Sequence, residues 1–342
     1  MNSKTFLNGI SRFLIRSLLW ISILVFVLAM AGMIYQTAAT EADQRKYPAP
    51  GELVNVDGHM MHIYCLGEGS PTVILDHAGG GSSVDWSLIQ PKLAEHTRVC
   101  AYDRAGYGWS DYNPAPRTLE NQVNELYSLL EGANEKGPYI FVGHSYGARV
   151  GRVFAAKYPE AVTGMVLMDA GFLYDDPRYP AQTVSEYESE NNMIRTVNWL
   201  APFGLVRLLR PIMMSDPTFD LPADAQSAST SFAATSRYWK SLDAQSEALP
   251  TVFQEERQVT SLGDIPLLVL VSTEPDDAAH QIWRQANIEM ADLSTNGSHQ
   301  IVEGATHFSL VYRQNDAQVC TDGILEVLAA VQDKHDLSQI TE

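Results

Sequence analysis

The sequence predicts an α/β protein in which strands alternate with helices. The β-branched and aromatic run Tyr139–Val142 is typical of a short buried strand, and it leads directly into the segment Gly143–Gly147. A helical pattern follows from Ala148 to about Tyr158, where Pro159 ends it. Strand-like runs of the same kind recur at Thr72–Asp76, Thr97–Asp103, Gly164–Asp169 and Pro266–Ser272.

The segment Gly143–Gly147 has the pattern G-x-S-x-G and stands between a strand and a helix. A serine on such a sharp turn must adopt a strained backbone, and the small residues Gly143 and Gly147 allow the turn to close. The hydroxyl of Ser145 would then stand at the positive end of a helix, where a developing oxyanion is stabilised. This context predicts a nucleophilic serine.

Composition limits the classes of protein to be considered. The chain has 342 residues, of which 45% are hydrophobic, enough for one large core or for a core with a smaller accessory domain. The formal net charge of −18 argues against a nucleic-acid partner, because phosphates would be repelled.

The N-terminal segment predicts a membrane anchor. Lys4, Arg12 and Arg16 precede an uncharged run over residues 17–40, which is long enough for a helix to cross a bilayer. We therefore expect a cytoplasmic segment at 1–16, a transmembrane helix or uncleaved signal anchor at 17–40, and a linker at 41–50. The remainder would lie outside the cytoplasm. Cleavage of the segment as a secretory signal, with release of the protein, is the alternative.

Four motifs together resemble those of the α/β-hydrolases, in the order in which that family carries them. They are Asp76–Gly81, Asp103–Ser110, Gly143–Gly147 and Gly304–His307. The resemblance implies the α/β-hydrolase fold: a mostly parallel central sheet with helices on both faces and a helical lid inserted after the sixth strand. The core would comprise residues 51–171 and 265–334, the lid residues 172–264, and a C-terminal tail residues 335–342.

In this fold the nucleophile, acid and base follow one another along the chain as Ser, Asp or Glu, and His. Ser145 and His307 fit that order as nucleophile and base. The acid has two candidates. Asp169 ends the strand that follows the Ser145 helix, and it is the favoured one. Asp276 follows the next strand, which is the commoner position in the family, but Ser272 and Pro275 alter the usual turn there.

The resemblance also implies an oxyanion hole and a pair of neighbouring cysteines. Backbone N–H groups of Gly79 and Tyr146 would bind the oxyanion. The family's strand order places Cys65 and Cys100 on adjacent strands, so that they form either a disulfide or two buried thiols. The expected chemistry requires no metal and no organic cofactor.

The sequence therefore predicts a membrane-anchored serine hydrolase that cleaves a carboxylic ester or related small-molecule acyl substrate. Two alternatives remain open. One is an aminopeptidase or carbon–carbon bond hydrolase that uses the same triad. The other is a binding or signalling protein that keeps the fold without turnover.

Overall fold

The computed structural model describes residues 3–170, 177–179, 181–213 and 220–337, with the backbone alone for residues 3–10, 181–184, 187 and 210–213. Within these residues a single eight-stranded sheet forms the centre of the fold. Its strands are β1 (Glu52–Val56), β2 (His59–Leu66), β3 (Thr72–Asp76), β4 (Val99–Tyr102), β5 (Tyr139–His144), β6 (Val162–Met168), β7 (Leu267–Glu274) and β8 (Gly297–Thr306).

The order of the strands across the sheet is β1-β2-β4-β3-β5-β6-β7-β8. Strand β2 runs antiparallel to both of its neighbours, and every other pairing is parallel. Parallel strands need crossover connections, and these place helices over both faces of the sheet. The mostly parallel sheet expected from the sequence is thus confirmed.

Eleven α-helices surround the sheet or extend from it in the described part of the chain. They are α1 (Ser3–Lys46), α2 (Gln90–Leu93), α3 (Leu119–Gly132), α4 (Tyr146–Lys157), α5 (Ala181–Leu200), α6 (Leu205–Met213), α7 (Ala223–Ala233), α8 (Ser236–Glu256), α9 (Ala278–Glu289), α10 (Ser309–Tyr312) and α11 (Gln314–Asp333). Helices α3 and α4 pack on one face of the sheet, and α2 and α11 pack on the other. Side chains of β5 alternate between the two cores: Phe141 enters the first, while Ile140 and Val142 enter the second.

Helices α5 to α8 stand between β6 and β7, which confirms a helical insertion after the sixth strand. Residues 172–176, 180 and 214–219 of the segment expected to be the lid lie outside the described residues. So do residues 1–2 of the expected cytoplasmic segment and residues 338–342 of the expected tail. We refer to α5–α8, with the 3₁₀ helix Ala201–Phe203 between α5 and α6, as the lid.

Helix α1 is the one helix in the described residues that is long and apolar enough to cross a membrane. It corrects the expected linker at 41–50, because the helix continues through Lys46 and leaves only residues 47–50 without helical structure. Residues 41–46 extend the helix because they include no proline or glycine, whereas Pro48 and Pro50 follow it directly.

The short segment after α1 is fastened to the core by two hydrogen bonds. The indole Nε1 of Trp109 donates to the carbonyl of Tyr47 at 2.9 Å. The ring of buried His62 lies between two acceptors, the Pro50 carbonyl at 2.5 Å from Nε2 and Asp103 Oδ2 at 2.8 Å from Nδ1. Only the protonated imidazolium can donate to both. Burial lowers the pKa of His62, but the Asp103 carboxylate outweighs burial and raises that pKa above the ordinary 6.5.

Strands β2 and β4 bring the two expected cysteines together. Cys65 and Cys100 stand directly opposite each other in the antiparallel register, and a disulfide joins them. Cys320 is a buried free thiol in α11. A disulfide is typical of a protein domain that folds in an oxidising compartment.

The His62–Asp103 pair predicts a specific pH dependence of stability. Because the folded pKa of His62 is raised, the pair stabilises the fold fully below about pH 6.5 and this contribution is lost as the pH rises through the folded pKa. Thermal unfolding of the full chain in detergent should therefore show a stability that declines from pH 6 towards alkaline pH, and His62→Gln should flatten this decline. His59→Gln, on the same strand, should retain it. Equal pH slopes for wild type and His62→Gln would contradict this assignment.

Candidate active site

Ser145 lies at the junction between β5 and α4 in a strained backbone conformation, with φ of 53° and ψ of −112°. A Cβ atom at Gly143 would collide with the backbone of Ala148, and one at Gly147 would collide with the backbone of Asp76. The Ser145 N–H donates to the Met168 carbonyl of the neighbouring strand at 2.9 Å. Glycine on both sides thus lets the turn close against β3, and the half-buried serine is fixed at the carboxyl edge of the sheet.

His307 follows β8 and meets Asp169, which follows β6. The two are joined by a hydrogen bond of 3.2 Å from His307 Nδ1 to Asp169 Oδ2. Ser272 holds the same carboxylate from the other side, with its N–H donating to Oδ1 at 2.9 Å and its hydroxyl donating to Oδ2 at 2.5 Å. The imidazole is partly exposed, whereas the carboxylate is fully buried.

The hydrogen bonds to Asp169 decide its protonation state. Burial raises the pKa of Asp169, but the hydrogen bonds and positive charge of His307, together with the donors of Ser272, lower that pKa below its ordinary value. The carboxylate is therefore ionised at neutral pH. An ionised acid at this position fixes the imidazole with Nδ1 protonated, so that Nε2 is available as a base.

The structure puts the other candidate acid, Asp276, in a different environment. Its exposed side chain lies before α9 and contacts Gln281 at 3.3 Å and Arg284 at 3.4 Å. The next residue, Asp277, caps α9 by accepting from the N–H groups of Ala279 and His280. Of the two aspartates, only Asp169 is brought into hydrogen-bonding contact with His307 in the described residues.

His144, inside the serine turn, is buried and points towards the loop of His307. Its Nε2 lies 2.9 Å from the His307 carbonyl oxygen, and the two rings are 4.8 Å apart. Burial, followed by the nearby charge of His307, lowers the pKa of His144 to about 3. His144 is therefore a neutral donor that holds the backbone of the His307 loop.

Gly79 lies on the loop after β3, and a buried arginine fixes that loop. Arg104 donates to the carbonyl of His77 at 2.6 Å and to that of Ala78 at 2.7 Å, and it pairs with Asp76. Burial and the positive charge of Arg104 keep the pKa of His77 well below its ordinary value, so its ring is neutral. Its Nδ1 then donates to the Ala78 carbonyl at 2.8 Å. The motif at 103–110 is recognisable in the sequence, but its pattern does not indicate that Arg104 holds the neighbouring loop.

Tyr146 begins helix α4, and its side chain turns away into the core. Its hydroxyl accepts a hydrogen bond of 2.8 Å from Gln122, and the Arg104 guanidinium lies over its ring at 5.0 Å. The side chain is thus anchored while the backbone of Tyr146 forms the first turn of α4, where N–H groups have no partner within the helix.

A cavity of about 450 Å³ lies between the lid and the core, and Ser145, His307, Gly79 and Tyr146 line it together. The lid contributes Gln245, whose Oε1 accepts a hydrogen bond of 3.1 Å from the Tyr107 hydroxyl. With its oxygen engaged there, the amide nitrogen of Gln245 is turned towards Gly79 and lies 2.9 Å from the position that a Cβ on that residue would occupy. Gln245 belongs to no recognisable motif, so the sequence alone does not indicate that it lines the cavity.

The lid is clamped to the core beside this cavity by a buried ion cluster. Glu256, near the end of α8, pairs with Arg149 and Arg152 of α4, and all three side chains are buried. Arg149 also lies over the ring of Phe253 at 4.8 Å. Because α4 begins directly after Ser145, the cluster connects the lid to the helix that follows the serine turn.

The sheet order, the strained serine turn and the lid define the architecture of an α/β hydrolase. The model of the alpha/beta hydrolase family matches residues 73–321. The chain belongs to the alpha/beta hydrolase family.

Individual relatives extend this comparison. YqjL of Bacillus subtilis (strain 168) is 37% identical over 115 residues, which cover 33% of this chain and 46% of that protein. A vacuolar membrane protein of Saccharomyces cerevisiae (strain YJM789) is 32% identical over 130 residues, covering 33% of this chain and 20% of that protein. The matches therefore span about half of the first relative and a smaller part of the second. By its length and composition, helix α1 of this chain is compatible with a membrane anchor.

Among solved structures, an esterase from Thermogutta terrifontis superposes with a TM-score of 0.59. Its sequence is 18% identical, and the match covers 82% of this chain and 97% of the esterase. At this identity the likeness establishes the shared fold.

Because Glu256 pairs with two arginines of α4, we expect the packing of the lid against α4 to depend on the Glu256 carboxylate. Glu256→Gln removes the carboxylate that pairs with two buried arginines, so we expect a loss of about 3 kcal/mol in the free energy of unfolding and earlier thermal unfolding in detergent. Glu247→Gln on the same helix is the matched control, because its pair with Arg195 is exposed and contributes little. Equal unfolding temperatures for the two variants would contradict a clamping role for Glu256.

Proposed function

We propose that this protein is a membrane-anchored serine hydrolase that cleaves a carboxylic ester or related acyl compound. The observation that carries the proposal is the contact between His307 and the buried, doubly held Asp169, beside the strained Ser145 turn that opens into the same cavity. A hydroxyl, a base and an oriented acid in this arrangement are the groups that acyl transfer requires.

In the proposed mechanism the Ser145 oxygen attacks the substrate carbonyl while His307 Nε2 accepts the hydroxyl proton. The ionised Asp169 stabilises the imidazolium through Nδ1 without taking the proton itself. The backbone N–H groups of Gly79 and Tyr146 stabilise the oxyanion, and His307 then protonates the leaving alkoxide. Water, deprotonated by His307, releases the acid from the acyl-enzyme. The reaction needs no redox partner, because only acyl and proton transfers occur.

Gln245 is proposed as a third donor to the substrate. Its amide nitrogen is directed towards Gly79 by the hydrogen bond from Tyr107, so helix α8 holds a donor close to the proposed oxyanion position. A fixed donor that need not reorient during the reaction favours the transition state.

A second candidate function, aminopeptidase activity, is favoured by the position of two lid carboxylates. Glu186 and Glu190, one helical turn apart on α5, both line the cavity. Two carboxylates at neighbouring positions of this helix would attract the protonated amino group of a substrate. A panel of acyl esters set against aminoacyl amides separates the two functions by their ratio of kcat/KM.

For the membrane, we propose a single span with the N-terminus in the cytoplasm and the hydrolase domain outside. The basic residues Lys4, Arg12 and Arg16 precede the apolar run, which follows the bias of basic residues towards the cytoplasm. The Cys65–Cys100 disulfide supports an oxidising location for the domain.

Replacing each candidate acid tests the triad. Asp169→Asn removes the charge that holds the correct tautomer of His307, so we expect kcat for a soluble ester to fall by a factor on the order of 10⁴. Asp276→Asn is the matched control and should leave kcat unchanged, because its side chain is exposed and contacts α9 instead. Steady-state kinetics on the full chain in detergent gives both values. A larger loss in Asp276→Asn than in Asp169→Asn would overturn the assignment of the acid.

Gln245→Met tests the proposed third donor. It keeps a side chain of similar length without a donor, and we expect kcat to fall by about 10²-fold with little change in KM. Ser246→Ala, which alters the next residue lining the same cavity, should leave kcat unchanged. A rise in KM at constant kcat in Gln245→Met would contradict a contact that is specific to the transition state.

A further inference from the structure

The lid carries a group of large apolar side chains at the surface, which we call the lid patch: Trp199, Leu205, Leu208 and Leu209. Trp199 is 71% exposed and Leu208 is 59% exposed, values rarely favourable for such side chains in water. All four belong to the end of α5 and the first two turns of α6. A surface of this kind is typical of a site that contacts a membrane or another protein.

The lid patch adjoins helix α1 through close backbone packing. A Cβ at Gly32 would collide with the carbonyl of Phe203, and one at Gly204 would lie 2.9 Å from the ring of Tyr35. The ring of Trp199 is 5.9 Å from that of Phe203. Helix α1 therefore packs against the turn between α5 and α6, the two helices that carry the lid patch.

The distance of this contact from the start of the apolar run can be measured along α1 from Arg16, the last charged residue before that run. Residues from Arg16 to Gln36 rise by about 30 Å in a helix, which equals the thickness of the hydrocarbon layer. Gly32 and Tyr35 thus lie in the last turns of the membrane-crossing part. At the end of that part, buried Gln36 donates from Nε2 to the Ala234 carbonyl at 2.8 Å.

Helix α6 has the two faces of a helix that lies in a membrane interface. Its apolar residues recur at 205, 208 and 209, on the surface, while Arg207 turns towards α1. Arg207 donates to Asp43 at 2.5 Å, seven residues beyond Gln36 and hence further from the hydrocarbon. The charge is directed out of the bilayer while the leucines remain exposed at its edge.

We propose that the lid patch is inserted into the leaflet that α1 leaves at Gln36, and that the substrate is an amphiphilic acyl ester resident in that leaflet. The second part rests on the proposed serine hydrolase function. Ile194 lines the cavity and precedes Trp199 by five residues on the same helix, a rise of about 8 Å. An ester at the level of the lipid headgroups is therefore within reach of the cavity while its acyl chain stays in the bilayer.

Insertion is tested by fluorescence quenching with the full chain in phosphatidylcholine nanodiscs. Leu209→Cys carries a bimane label, and Leu53→Cys is the matched control, since both leucines are 47% exposed and Leu53 follows the end of α1. The native cysteines are a disulfide and a buried thiol, so labelling is directed to the introduced residue. We expect quenching at 209 by lipids with a nitroxide on the acyl chain and protection from aqueous iodide, with the reverse at 53.

Two results would overturn insertion. Iodide quenching at 209 equal to that at 53 would place the lid patch in water. Protection from iodide without quenching by the lipid nitroxide would indicate that protein, such as a second copy of this chain, covers the lid patch.

The substrate class is tested with the double variant Leu208→Glu/Leu209→Glu, whose altered side chains lie on the surface and away from the cavity. Hydrolysis of a long-chain ester embedded in nanodiscs should fall at least tenfold, while hydrolysis of a short soluble ester should be unchanged. Leu53→Glu should change neither. Equal rates for wild type and the double variant on the embedded ester would overturn the proposal. If wild type cleaves neither ester, the hydrolase function fails, and the quenching experiment still decides insertion.

Discussion

The site depends on the close approach of α4 to β5 and to the end of β3. Backbone from α4 and from the end of β3 occupies the space where side chains at Gly143 and Gly147 would stand, and Ser145 is held at a positive φ as a result. Strain of this kind persists only where the surrounding structure determines it, and here a buried sheet supplies that support. The same packing sets the start of α4, and with it the position of Tyr146 and the arginines to which the lid is clamped.

Two buried charges organise the loops around this turn. Arg104 holds the carbonyl groups of the Gly79 loop, and Asp103 accepts from His62, from the Ser83 N–H at 2.6 Å and from the Trp109 N–H at 2.9 Å. Buried charges are costly unless they are paired and hydrogen-bonded, and here each one joins segments distant in sequence. Through His62 and Trp109 the network also reaches the residues that follow α1. The proposed reaction centre and helix α1 are thus parts of one connected framework.

Much of the fold could be predicted from local pattern. The strand, turn and helix around Ser145 follow from β-branched residues, two glycines and a proline, each of which acts over a few positions. Local pattern could not decide between Asp169 and Asp276, because the choice depends on which of the two carboxylates reaches His307 in the folded chain. The buried hydrogen bonds of Ser272 and His307 distinguish them in three dimensions. Gln245 and Glu256 have no sequence signal, since their contacts join residues more than 100 positions apart. The apolar residues of the lid patch are visible in the sequence and favour a core position, but local pattern does not show that they lie on the surface.

The central claim is that Ser145 is an activated nucleophile, and covalent labelling tests it most directly. The full chain in detergent, shown to be folded by its unfolding temperature, is treated with a fluorophosphonate and digested for mass spectrometry of the peptides. We predict one adduct on Ser145, which does not form when the chain is denatured before treatment and is absent in Ser145→Ala of equal stability. A folded wild-type chain that stays unlabelled, or that is labelled on another serine and equally in Ser145→Ala, would contradict the claim.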